Sequence, residues 1–299
     1  MIKIFLATLL FLMSLSGASA LEWSVKQINA EKFPYEIVEE TRTQAIDGLP
    51  DGLIATGEGD SDISSAWYGE PTTRYAHGIL GDAIEAGALL VETADSSVQI
   101  LHLPKSEVFE DRYPRLVDLD GDGTTEVITI KSSVNQGASV TIYGLDDGKL
   151  IEKATTGYHG LANRWLNIAG IADYRGTGFK DIAFVRTPHI GGTLFFYSYR
   201  NGSFRQVGDV YGFSNHFIGS REMRLSATAD FDGDGVLDLA VPSNNRRDLR
   251  FISFKNEAVL ELSSVSFSSS IDKAVLVDSS NKALVVGTAD GAVYRLDRK

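Results

Sequence analysis

Residues Asp230 to Pro242 read DFDGDGVLDLAVP: four carboxylates and two glycines within nine residues, with an apolar run starting on the last of them. Asp118 to Ile130 repeat the arrangement as DLDGDGTTEVITI. Both fit D-x-D-x-D-G-x-x-[DE], with carboxylates at positions 1, 3, 5 and 9 and glycine at 6. Four carboxylates held about 5 Å apart repel by roughly 0.8 kcal/mol per pair even in bulk water, about 5 kcal/mol over the six pairs. A turn that only reversed the chain would not carry that repulsion. A hard divalent cation turns it into attraction, and several oxygen ligands at about 2.3–2.6 Å suit Ca²⁺ better than Mg²⁺. The converging groups are Asp118, Asp120, Asp122, the Thr124 carbonyl and Glu126 in one loop, and Asp230, Asp232, Asp234, the Val236 carbonyl and Asp238 in the other. An EF-hand would place Glu at position 12 between helices; here position 12 is Thr129 or Val241, inside a β-type run.

A third stretch, DYRGTGFKDIAFV from Asp173, keeps Asp173, Gly178 and Asp181 but places Arg175 and Thr177 at positions 3 and 5. A guanidinium inside such a loop excludes Ca²⁺. Two readings of Arg175 stand side by side: a built-in counterion pairing Asp173 and Asp181, or an exposed arginine over an empty loop.

Helical periodicity is nearly absent. Short runs rich in Val, Ile, Phe, Tyr and Leu recur between Gly, Asp, Asn and Ser, as in EVITIK, ASVTIYGL, DIAFVRT, TLFFYSY, LRFISF and AVYRLD; these are strands with turn punctuation. An Asp followed by an apolar strand anchors a repeat at Asp47, Asp82, Asp118, Asp173, Asp230 and Asp278. Each full unit reads strand, Asp loop, strand, turn, strand, turn, strand. That is a four-stranded antiparallel sheet repeated along the chain, the pattern of an all-β propeller. Six anchors give six blades, with seven as the alternative if Leu21 to Lys32 contain further strands. The last unit ends after its third strand, and the N-terminal YEIVEE (residues 35–40) is read as the fourth strand that closes the ring and removes an open edge.

On these loops and the strands behind them the chain resembles the FG-GAP/VCBS repeats of integrin alpha-chain propellers and of many exported bacterial proteins, over about Tyr113 to Pro242. The resemblance implies a β-propeller holding Ca²⁺ in loops between the first and second strands of a blade. It carries two Ca²⁺ sites onto Asp118, Asp120, Asp122, Thr124 and Glu126, and onto Asp230, Asp232, Asp234, Val236 and Asp238. The family includes adhesion, carbohydrate-related and uncharacterised members, so it does not fix a function.

The first 20 residues read as a cleavable signal: Lys3, an apolar run from Ile4 to Leu15, and the small-x-small site Ala18-Ser19-Ala20. The run is too short to span a bilayer, and no later segment is suited to it. The remaining residues 21–299 are expected to form a single domain, periplasmic or secreted and monomeric. They contain no cysteine, so stability rests on the core. Removing Lys3 takes the formal net charge from −12 to −13, which argues against nucleic acid as a partner.

If the Asp loops share one face of the disc, the remaining connections share the other. There the sequence collects Asn163, Arg164, Trp165, Arg186, His189, Asn215, His216, Arg221, Glu222, Asn244, Arg246 and Arg247. Planar donors and an aromatic ring suit an anionic or polyhydroxylated ligand; bracing between blades is the other use of such residues. No H-x-x-x-H or H-E-x-x-H occurs, so the histidines are read as hydrogen-bonding groups rather than zinc ligands. The leading expectation is a calcium-stabilised module that binds a protein, a glycan or an anionic ligand, without catalysis. The alternative is a glycan-acting hydrolase or lyase with His189, His216 and Glu222 as acid and base. A single stretch similar to a quinoprotein propeller repeat, Ala283 to Asp297, stands in a chain too short for the usual eight blades.

Overall fold

A computed structural model describes residues 21–30, 43–45, 48–278 and 283–299. The apolar leader and the segment YEIVEE lie outside the described residues, as does the anchor Asp47.

The described residues are all-β, without an α-helix, and contain no helix long and apolar enough to cross a membrane. They form five four-stranded antiparallel units, where the sequence anchors give six. The first comprises β2 (Ala55–Thr56), β3 (Ile63–Thr72), β4 (Glu85–Thr93) and β5 (Val98–His102). A short β6 (Glu107–Phe109) then pairs with both β4 and β8 and joins this unit to the next, formed by β7 (Arg115–Val117), β8 (Glu126–Ser133), β9 (Gly137–Asp146) and β10 (Lys149–Thr155). The third is β11 (Leu166–Ala172), β12 (Asp181–Arg186), β13 (Gly192–Arg200) and β14 (Ser203–Phe213). The fourth is β15 (Ala227–Ala229), β16 (Asp238–Pro242), β17 (Asp248–Lys255) and β18 (Ala258–Ser266). The last has three consecutive strands, β19 (Ile271–Val277), β20 (Ala283–Thr288) and β21 (Val293–Arg298), completed by the N-terminal β1 (Trp23–Ile28) along β21.

A borrowed N-terminal strand does complete the last sheet, but Trp23–Ile28 supplies it rather than residues 35–40. Trp23 fixes it: its indole stacks on Phe251 at 4.4 Å and meets Phe231 edge-on at 6.0 Å. The anchor Asp82 is also corrected. It lies between β3 and β4, the second and third strands of its unit, whereas the true first-to-second-strand connection is Gly57–Asp62.

Burial follows from stacking sheet on sheet. Every residue of β8 and of β16 is buried, because both faces of these strands are covered; β8 takes Thr129, Lys131, Ser132 and Ser133 into that burial with Val127, Ile128 and Ile130. Strands at the outer edge alternate instead, as in β5 and β10. The core lies between consecutive units. Ile128, Ile130, Val140 and Ile142 of the second meet Ile168, Ile182 and Phe184 of the third. Ala183, Val185 and Phe196 of the third meet Leu239, Val241 and Phe254 of the fourth. Ala240, Leu249 and Phe251 meet Leu284, Val286 and Leu296 of the last. With antiparallel order throughout, first-to-second and third-to-fourth connections fall on one face. Second-to-third connections and the links between units fall on the other.

Candidate cation loops and the opposite face

The three Asp loops share one backbone design. The first carboxylate accepts two amides from further along its own loop: Gly121 and Gly123 on Asp118 at 2.7 and 3.1 Å, Gly233 and Gly235 on Asp230 at 2.6 and 3.0 Å, and Thr177 and Gly178 on Asp173 at 2.9 and 2.6 Å. The position-6 glycines make this possible, since Gly123, Gly178 and Gly235 have φ of 86°, 81° and 89°. In the two full matches the loop gathers its acids. One carboxylate oxygen from each of Asp118, Asp120 and Asp122 lies within 4.8 Å of the other two, and Asp230, Asp232 and Asp234 do the same.

The ninth residue opens the second strand and is buried in all three loops. Glu126 Oε2 accepts the Leu119 amide at 2.9 Å, and burial pushes its carboxyl up to about 7 against that hydrogen bond. Asp238 Oδ2 accepts the Phe231 amide at 2.9 Å; burial raises it to about 6, and its Oδ1 is buried without a partner. Asp120 Oδ1 is likewise buried and unpartnered. All-oxygen donors with buried acceptors left open fit a hard divalent cation.

Asp181 is the exception that explains the third loop. Arg175 donates to it through Nε at 2.7 Å and Nη2 at 2.8 Å, and Nη2 also reaches Ser198 Oγ at 3.0 Å. Arg175 is therefore the counterion of Asp181. Its expected pairing with Asp173 is not made; the loop amides take that carboxylate instead.

On the opposite face, loops from several units meet where the sequence candidates fall. Trp165 is buried rather than presented as a stacking surface, and its Nε1 donates to the Glu110 carbonyl at 3.0 Å. His189 stacks parallel to its indole at 6.1 Å and His216 meets it edge-on at 4.7 Å. His216 Nε2 lies 3.0 Å from the Ser220 carbonyl, so that nitrogen carries the proton and Nδ1 accepts from His189 Nε2 at 3.0 Å. Burial lowers His189 to about 3 and His216 to about 4. Both are neutral at pH 7, and His216 spends both nitrogens on structure.

Asn215 is buried in a reciprocal pair with Asn167, each amide donating to the other's backbone carbonyl. Glu222 is buried and clamps Arg224 at 2.9 and 3.0 Å. Arg221 is a brace between units: it donates to the Leu80 and Pro50 carbonyls and pairs with Asp51 and Asp82. Arg246 donates to Ser214 Oγ at 3.2 Å and lies over Phe217, and Arg186 lies 4.7 Å over Phe195. Among the described residues none of Arg164, Arg186, Arg246 and Arg247 forms an ion pair, and Asn163, Asn244 and Arg247 are exposed. Sequence reasoning missed three aliphatics in the same loops, Leu161, Ile190 and Ile218, which are 65, 61 and 67 % exposed. Their only signal was placement, each next to glycine within two residues of a histidine (HGL, HIG, HFIG).

Among the described residues, cavities open beside the acidic loops, along the inner strands and on the opposite face. One of about 540 Å³ opens beside the acidic loops between Glu58, Asp60, Asp118 and Lys180. Another, of about 360 Å³, is walled by β7, β11 and the start of the fourth unit. The third, of about 570 Å³, opens on the opposite face between Arg112, Phe217, Arg221, Asp272 and Lys273.

No family model and no curated protein matches this sequence. Solved structures do. Sqt1 of Saccharomyces cerevisiae is similar at a TM-score of 0.50 and 11% identity, over 84% of this chain and 61% of that one. The exotype rhamnogalacturonan lyase YesX is similar at 0.45 and 14%, over 83% and 56%. The Bacillus licheniformis rhamnogalacturonan lyase PL11 is similar at 0.42 and 14%, over 83% and 58%. The chain thus spans 56 to 61% of the length of these structures. At such identities the likeness speaks to fold alone, and the match to Sqt1 supports a propeller-like arrangement.

Proposed function

We propose that this chain is an exported β-propeller of the FG-GAP/VCBS type that holds two Ca²⁺ ions and binds a partner, protein, glycan or anion, on the face opposite them. The two triads of carboxylates, each with its oxygens within 4.8 Å, carry the calcium part of this reading. Asp118, Asp120, Asp122 and Glu126 would hold one ion and Asp230, Asp232, Asp234 and Asp238 the other, with the Thr124 and Val236 carbonyls completing the shells. The ions would neutralise the loops and tie each unit's first strand to its second. The five four-stranded units of the described residues, with β1 completing the last, are read as its blades.

Partner binding is supported by the exposed Leu161, Ile190 and Ile218 beside arginines without carboxylate partners. The His189–His216 pair, kept neutral by desolvation, and the Glu222 clamped by Arg224 make poor acid and base groups at neutral pH, which favours a binding module over an enzyme. The test is a thermal melt with calcium and with chelator. Calcium at 100 times Kd should stabilise by about 2.7 kcal/mol per site, and Asp120→Asn or Asp232→Asn should each remove part of the response. An identical melt in calcium and in chelator would refute the metal reading.

A further inference from the structure

The three loops are built alike but differ in the positive charge that reaches them, and the difference follows one register position. The residue after the ninth loop position is Val127, Ile182 or Leu239, and each pairs across the sheet with the third strand, at Tyr143, Tyr197 and Ile252. Three residues further along that strand stand Asp146, Arg200 and Lys255. The position therefore overhangs the Asp loop of its own unit.

At the Asp230 loop, Lys255 Nζ contacts Asp232 Oδ2 and lies 2.6 Å from Asp234 Oδ2. At the Asp173 loop, Arg200 Nη2 donates to Thr177 Oγ1 at 2.8 Å, while Arg175 holds Asp181. The Asp118 loop has an exposed acid, Asp146, at this position. Among the described residues, the ion pair that reaches this loop is Lys153 to Glu126 at 3.8 Å; Lys180 donates to the Asp118 backbone carbonyl at 3.1 Å, and no ammonium or guanidinium pairs with a triad carboxylate. The series runs from a triad whose carboxylates pair with no cationic side chain, through one whose carboxylates meet Lys255 on its flexible stem while Arg298 reaches the Asp232 carbonyl, to a loop whose buried acid, Asp181, is held by Arg175.

We propose that Lys255 is an intramolecular competitor for the cation of the Asp230 loop, so that the two loops differ in affinity and the Asp118 loop fills first. This rests on the calcium reading above and adds an order to it. The loop interior is marked as a cation position by two observations besides the acidic triad. Asp238 is fully buried, with Oδ2 fixed by the Phe231 amide and Oδ1 paired with no cation, the Ser253 hydroxyl being its neighbour across the sheet. In the same register, Asp181 spends both oxygens on a guanidinium.

A divalent ion needs the Asp232 and Asp234 oxygens that the ammonium now uses. Lys255 must therefore swing away on its four-carbon stem before the shell can form, and two charge-assisted hydrogen bonds are given up. Asp146 imposes no such step and adds negative charge near the other loop. The Asp230 loop then responds at higher calcium concentration than the Asp118 loop, and Lys255 is the side chain that occupies its carboxylates.

The experiment is calorimetric titration of the chelator-stripped chain with CaCl₂. The parent should show two events of different affinity. Lys255→Met, which removes the ammonium and keeps the stem, should tighten the weaker event about tenfold, equivalent to about 1.4 kcal/mol, and leave the stronger one unchanged. Asp120→Asn should abolish the stronger event and leave the Lys255→Met effect intact. Lys255→Gln is the second variant, and melts of both variants in chelator establish that they fold. Unchanged affinities in folded Lys255 variants, or loss of the weaker event, would overturn the role of the lysine while leaving calcium binding in place. Absence of any binding in the parent would overturn both readings together.

Discussion

Arg175→Ala tests how the third loop is held without a metal. The substitution strips both oxygens of Asp181 of their donors, and Asp181 is fully buried at the start of β12. Breaking a buried pair by removing one partner costs about 3–5 kcal/mol, whereas an exposed pair is worth at most about 1 kcal/mol. The Arg175 side chain is 16 % exposed against 0 % for Asp181, and water can follow the truncated side chain in from the loop. The expected loss is therefore intermediate, about 2–3 kcal/mol, measured as the change in urea midpoint at constant slope. Two further variants separate charge from packing. Arg175→Ala with Asp181→Asn should be less destabilised than Arg175→Ala alone, since no buried charge is left behind. Arg175→Lys should recover only part of the loss, because an ammonium cannot reproduce the two-pronged contact. A midpoint for Arg175→Ala within about 0.5 kcal/mol of the parent, the range of an ordinary surface substitution, would refute the counterion argument.

Three other outcomes are expected. Arg175→Asp with Thr177→Asp converts the third loop to DYDGDGFKD, and calorimetry should then show an additional calcium event; none would mean that Arg200 or the loop backbone still excludes the ion. Arg221→Ala should cost more than about 1 kcal/mol because it releases Asp51 and Asp82, while Arg247→Ala, which has no ion pair, should stay within about 0.5 kcal/mol; equal losses in a denaturant melt would contradict the assigned roles. Burial raises Asp51 to about 7, so the folded chain keeps a proton that the unfolded chain releases near pH 4. That stabilisation is complete below about pH 4 and is lost as pH rises through about 7. Metal-free parent should accordingly lose up to a few kcal/mol over that window relative to Asp51→Asn, and a difference that does not change with pH would count against it.

The parts of this fold legible in the sequence are those fixed by local contacts. In the loops at Asp118, Asp173 and Asp230 the first carboxylate bonds amides three to five residues away, so the spacing is written in one short stretch. The strands behind them carry largely apolar runs, Val127 to Ile130 and Leu239 to Val241, because both faces are covered there. Asp82 misled because an Asp before an apolar strand serves equally well at either end of a sheet. Here its Oδ1 accepts the Ile84 amide and its Oδ2 pairs with Arg221. The true first-unit loop, Gly57–Asp62, does not begin with Asp, and Asp62 acts at a distance by accepting the Thr125 amide at 2.9 Å. The closing strand WSVKQI went unread for a similar reason: it is mostly exposed, and only the stacking of Trp23 on a ring more than two hundred residues away marks its place.

The opposite face was legible as a composition but not as a set of roles. Arginine at 221 and arginine at 247 look the same in a sequence. What separates them is whether a carboxylate from another unit arrives beside the guanidinium, and Asp51 lies 170 positions from Arg221. The same holds for Trp165 and His216, whose rings were expected to face a ligand and are instead engaged by Glu110, Ser220 and each other. What remains exposed in these loops is more apolar, Leu161, Ile190 and Ile218, together with the polar Asn163 and Arg247. The two faces therefore differ in how they respond to change. The backbone of an acidic loop is shaped by contacts within nine residues, so one or two substitutions are expected to change what it can hold, with Lys255 as the contact that reaches the Asp230 loop from further along the chain. The opposite face depends on contacts between units, so its buried braces cannot be altered without altering the packing of the sheets. A binding specificity that varies on this scaffold would have to be carried by the exposed loop tips rather than by the conspicuous aromatic and histidine residues beneath them.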